Sequence, residues 1–107
     1  MKQRVAANKV LIDSCTIENN LMIERDDNGR VRRMVCITDC QVEPSSTLFY
    51  NGLITTDVDL LKREVGLSVI DLVQDALVIG YSGRLLLWQN LSLSEFCNKE
   101  DTKVTVI

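Results

Sequence analysis

Leu21-Met22-Ile23-Glu24-Arg25-Asp26-Asp27-Asn28-Gly29-Arg30-Val31-Arg32-Arg33-Met34-Val35-Cys36-Ile37 decides the fold class. Two extended segments flank an Asn-Gly step, the strongest short hairpin signal, because both residues accept positive φ at little cost. In the second arm Val31, Arg33, Val35 and Ile37 point one way, and Arg32, Met34 and Cys36 the other. That alternation fits a half-buried antiparallel pair. Glu24, Arg25, Asp26, Asp27, Arg30, Arg32 and Arg33 form a mixed-sign cluster at the tip, read as a solvated edge that resists edge-to-edge pairing.

Outward from the hairpin, the β pattern continues on both sides. Upstream, Val10-Leu11-Ile12 opens a short strand, and the segment through Ile17 ends at turn-prone Asn19-Asn20. Downstream, Pro44-Ser45-Ser46 is a loop. Thr47-Leu48-Phe49-Tyr50 and Leu53-Ile54-Thr55-Thr56 then flank Asn51-Gly52, a second tight turn or a bulge.

The apolar period then moves from two toward 3.6. Thr56 or Asp57 caps a short helix over 58–65, with Gly66 as its stop. Ser68 and Asp71 resemble a capping box for a second helix, in which Val69, Leu72, Val73 and Ala76 share a face that Ile70 and Leu77 broaden. After Gly80, Arg84-Leu85-Leu86-Leu87-Trp88 reads as a covered strand, Asn90 to Lys99 as a loop, and Lys103-Val104-Thr105-Val106-Ile107 as a closing strand. The expected fold is therefore mainly β: an antiparallel β-sandwich or partly open barrel built from N- and C-terminal strands, with one or two short helices inserted near 57–79. At 107 residues it is a single domain, 1–107.

Composition narrows the chemistry. The chain contains no His, which removes the usual general base, zinc ligand and pH switch together. Net charge is −3 and aromatic residues are 5%, which argues against a nucleic-acid partner, since that needs a basic face or stacking platforms. The basic start Met1-Lys2-Gln3-Arg4 leads into Val10-Leu11-Ile12, which Asp13 breaks before it reaches signal-peptide length. The apolar runs 76–79 and 85–88 are too short to span a membrane. The expected setting is cytoplasmic, without membrane attachment.

Four cysteines stand at Cys15, Cys36, Cys40 and Cys97. Cys36 and Cys40 are a C-x3-C pair; on one strand they would lie about 13 Å apart, too far to chelate or bridge unless Thr38-Asp39 turns tightly. The expectation is buried or half-buried thiols and no metal or other cofactor.

The order of the pieces resembles a known family. Val5-Ala6-Ala7-Asn8-Lys9-Val10-Leu11, the hairpin with Asp26-Asp27-Asn28-Gly29-Arg30-Val31, and Phe49-Tyr50-Asn51-Gly52-Leu53-Ile54 look like the opening of amidohydrolase-superfamily enzymes, closest to the cytosine deaminase and chlorohydrolase-like members. The tail, with a helix at 68–77, then Gly83-Arg84-Leu85-Leu86-Leu87-Trp88 and a last strand ending at Ile107, is similar to the family's return into its composite β domain. The resemblance implies a small β-sandwich that in the family sits beside a catalytic TIM barrel. Where the family places a Pro-Gly step and a metal-binding His-x-His pair, this chain has Thr55-Thr56-Asp57-Val58-Asp59-Leu60. The barrel ligands are missing with the barrel, so no catalytic residue carries over.

The functional expectation is a non-catalytic module acting through protein contacts, as a homodimer or with another protein. Phe49, Tyr50, Leu53, Trp88 and the second helix are the interface candidates, weighed against a plain core role. The alternatives are an accessory subunit of an amidohydrolase and a small enzyme using Cys36, Cys40, Asp57 or Asp59, with Arg32 or Arg33 lowering a thiol pKa.

Overall fold

In the computed structural model, residues 3–13, 15–36, 47–92 and 96–107 are described. Cys40, Ile37 and the Pro44-Ser45-Ser46 loop lie outside them. The described chain forms six strands: β1 (Gln3–Asp13), β2 (Thr16–Arg25), β3 (Val31–Cys36), β4 (Thr47–Thr56), β5 (Leu85–Gln89) and β6 (Lys103–Val106). They make one sheet in the order β3-β2-β1-β4-β5-β6. All neighbours are antiparallel except β1 and β4, which run parallel with Val5 beside Leu48 and Val10 beside Ile54. The first and last thirds of the chain thus share one sheet, joined through β4.

The sheet does not close into a barrel, but it curls. Val31 at the start of β3 accepts from Gly80 N at 2.7 Å and donates to Tyr81 O at 2.8 Å, so the outer edge of β3 meets the segment leading into β5. Curling gives the sheet an inner and an outer cluster. Val5, Ala7, Ile23, Val31, Ile54 and Leu85 belong to the inner one. On the opposite face Leu11, Leu53, Leu86 and Trp88 pack with Val58, Val69 and Leu72 of the connection between β4 and β5. That connection is the second layer, supplied by irregular chain where a sandwich would place a second sheet.

Several local expectations shift for identifiable reasons. At the β2–β3 hairpin only Gly29 takes positive φ, at 79°. The turn is longer than a two-residue link: Gly29 N donates to Asp26 O at 3.0 Å, and the Asp26 carboxylate accepts from Asn28 N at 2.9 Å and Arg30 N at 3.0 Å. Glu24 pairs with Arg33 and Arg25 with Val31, so Arg32 is an extra residue in the β3 arm. That bulge turns the alternation over, and Met34 packs on the same cluster as Val31 instead of opposite it.

Strand β1 begins at Gln3 rather than Val10, and β2 runs through Asn19-Asn20 without ending, Asn20 absorbing a φ of 54°. Asn51-Gly52 is a bulge, since Ala7 pairs with Tyr50 and Lys9 with Leu53, setting two residues of β4 against Asn8 alone.

The helices shrink most. The stretch expected as helix over 58–65 holds a single 3-10 turn, Leu60–Lys62, capped by Asp59 rather than Thr56 or Asp57. The second helix is α1 (Val69–Leu72), with Ser68 as its N-cap. It stops at Val73 because Leu77 is drawn to the inner cluster while Val69 and Leu72 fill the outer one. A continued helix would hold all three on one side, and burial outweighs the weak helix propensity of this β-branched segment.

Candidate functional site

The four sequence-level interface candidates divide by burial. Leu53 is 2% exposed and Trp88 1%, so both are core; they face each other across β4 and β5. The Trp88 indole N–H donates to Thr55 Oγ1 at 2.8 Å, which in turn donates to Thr56 O at 2.9 Å. Tyr50 is half-buried against the inner cluster. Phe49 is 59% exposed and Leu48 beside it 55%. The second helix turns Val69 and Leu72 inward and contributes no large exposed apolar side chain.

The uncovered apolar surface lies elsewhere. Leu60, Leu61, Val65, Val78 and Ile79, five of the eight large exposed hydrophobics among the described residues, belong to the β4–β5 connection. Composition gave no sign of this, because the same residues read as helix faces when the segment is assumed helical. The connection is tied to the sheet by polar contacts. Tyr81 Oη accepts from Asp57 N at 2.8 Å and donates to Arg84 O at 2.8 Å. Thr56 Oγ1 donates to Asp75 O at 2.9 Å, and Arg84 pairs with Asp57 at 2.7 Å. Burial pushes the Tyr81 phenol above its ordinary pKa, and the hydrogen bond to Asp57 raises the Arg84 guanidinium further. Next to this network a shallow depression is lined by Asp57, Asp75, Val78 and Ile79.

The mixed-sign cluster is not wholly a solvated edge. Glu24 is 6% exposed and Arg25 7%. Glu24 lies between Arg4 at 3.4 Å and Arg33 at 3.7 Å, in one row across β1, β2 and β3. Arg25 follows Ile23 on β2 and donates to the Gln3 side-chain oxygen, while its Nε has no hydrogen-bond partner among the described residues. Burial lowers its pKa, against a smaller opposite effect from Tyr50. The tip of the hairpin is solvated as expected, and backbone N–H groups, that of Arg30 foremost, hold the Asp26 carboxyl below its usual range.

Of the residues of the enzymatic alternative, Cys40 lies outside the described residues, and Cys36, Asp57 and Asp59 are each engaged separately. Cys36 ends β3, with its thiol 3.8 Å from Asn19 O. Asp57 is engaged with Arg84, and Asp59 caps the 3-10 turn by accepting from Leu61 N at 3.0 Å. Cys36 and Cys97 are half-buried, and Cys15 is exposed rather than buried, lying in the β1–β2 turn. Among the described residues no three His, Cys, Asp or Glu side chains group as metal ligands, and no helix is long and apolar enough to cross a membrane.

A second cleft opens at the other end of the β4–β5 pair. It has a volume of about 600 Å3 and is lined by Asn8, Lys9, Asn51, Trp88, Phe96 and Lys99, among others. Its described polar side chains are amides, two ammoniums and the Ser92 hydroxyl, suited to hydrogen bonding and to anions. No protein-family model, no curated protein and no solved structure matches the chain.

Proposed function

We propose that this chain is a non-catalytic β module that works through protein contacts, first with a second copy of itself. The carrying observation is the uncovered apolar surface of the β4–β5 connection. Leu61 is 95% exposed, Val65 67% and Ile79 60%. Covering a leucine of this kind removes apolar area from water at a gain of roughly 1.5–3 kcal/mol.

The resemblance to the amidohydrolase composite domain supports the same reading. There the chain leaves for its barrel after the Asn-Gly strand, and here that departure point is Thr56, where the exposed connection begins. Net charge of −3 and few aromatics favour a protein partner over nucleic acid, and we place the protein in the cytoplasm on its lack of long apolar runs.

Sedimentation equilibrium of the wild type against Leu61→Glu tests the reading. A concentration-dependent dimer that Leu61→Glu weakens is expected. A strict monomer at high concentration overturns self-association, and co-purification from the native cell then asks whether an amidohydrolase covers the same surface. Rapid modification of one cysteine by a mild alkylating agent would instead favour the enzymatic alternative.

A further inference from the structure

The cleft beside Trp88 rests on observations separate from those behind the contact surface. It forms where β5 ends and β4 carries its bulge. Gly52 is part of the reason it is there: its φ is 157°, and a Cβ at this position would meet Trp88 O at 2.4 Å. Only a residue without a side chain lets the two strands approach this closely at the cleft floor.

The rim is held in unusual backbone geometry. Among the described residues three non-glycines have positive φ, and two of them, Asn90 at 65° and Phe96 at 53°, line this cleft. An aromatic residue in that region is an outlier, and such conformations persist only where surrounding contacts impose them. The contacts are present: Thr102 Oγ1 donates to Asn90 O at 2.8 Å and accepts from Lys99 N at 2.8 Å, and the Asn90 amide donates to Asp101 O at 3.2 Å.

Among the described lining residues the charge is one-sided. Lys9 and Lys99 line the cleft, and no Asp or Glu among the described residues does. Lys9 donates to the Asn19 amide oxygen, a neutral acceptor, at 3.1 Å. Half-buried Phe96 adds an apolar wall, and the volume falls within the range of small-molecule sites.

We infer that this cleft binds a small organic anion with a flat apolar body, its acid group held by Lys9 and Lys99 and its ring against Phe96. Asn8 and Asn51 line the same cleft and bring amides that can hydrogen-bond polar substituents. The acid is a carboxylate or a phosphate, groups that two ammoniums recognise by the same charge-assisted hydrogen bonds.

The test is an NMR titration of the 15N-labelled full chain at low salt with benzoate, phenyl phosphate and neutral benzyl alcohol, read also by Trp88, the only tryptophan. The expected result is saturable shifts confined to Asn51, Gln89, Asn90 and Phe96 with an anion and not with the alcohol. Tighter binding of benzoate assigns a carboxylate, and tighter binding of phenyl phosphate a phosphate. Lys9→Gln and Lys99→Gln, whose folding the same spectra confirm, should each weaken the anion about tenfold. Absence of saturation up to the solubility limit, shifts elsewhere, equal binding of benzyl alcohol, or undiminished binding to both variants overturns the proposal.

Discussion

Thr55 shows how one hydroxyl fixes the centre of the sheet. It is fully buried, accepts the Trp88 indole proton and donates to Thr56 O. Thr55→Val keeps the shape and β propensity but leaves the indole N–H unpaired in the core. A loss of about 1–3 kcal/mol is expected, measured by urea unfolding. Tyr81 does the same for the connection, and its titration adds a pH signature. Its pKa is raised in the folded chain, so the folded state holds the proton more tightly than the unfolded one. The resulting stability is complete below the unfolded-state value near 10 and is lost as pH rises through the folded-state value. Tyr81→Phe should therefore be less stable at neutral pH, through loss of the bonds to Asp57 and Arg84, yet show a shallower decline above pH ~10 in unfolding curves. Neither partnership was legible in the sequence, because Thr55 lies 33 residues from Trp88 and Tyr81 lies 24 from Asp57.

At the scale of elements, the strands and the capped start of α1 at Ser68 were legible, and the lengths of the two short helices were not. The hairpin, β5 and β6 were found because alternation and turn residues are local signals. The 3.6-residue spacing at 69–77 is genuine, but the chain uses Val69 and Leu72 on one face of the sheet and Leu77 on the other, so tertiary burial overrides the period. Face assignments failed in the same way at β3, where an extra residue at Arg32 shifts Met34 to the side of Val31. The bulge at Asn51-Gly52 makes the most severe element-level prediction. Gly52→Ala places a methyl group against Trp88 O and should cost more than ~2 kcal/mol, seen as a lower midpoint in chemical unfolding. Gly29→Ala, at a turn with open space around the Cβ, should cost only the strain of φ at 79°. The contrast between the two separates close approach from backbone conformation.

For the molecule as a whole, the mainly β class and the union of both chain ends were readable, while the contact surface was not. Apolar residues of the 57–84 stretch look alike in sequence whether they cover a core or face water; only the path of the backbone separates Leu77, fully buried, from Ile79, 60% exposed. Leu53 and Trp88 drew attention as large apolar residues, and their size is the reason the core claims them. The account stands on the parallel pairing of β1 with β4, which joins the amino-terminal hairpin to the carboxy-terminal strands. Cross-strand nuclear Overhauser effects test it directly. Contacts of Val10 with Ile54 in parallel register, together with Thr55 against Leu86 in antiparallel register, are predicted. A spectrum in which β4 contacts β5 but never β1 would divide the sheet in two and contradict the account.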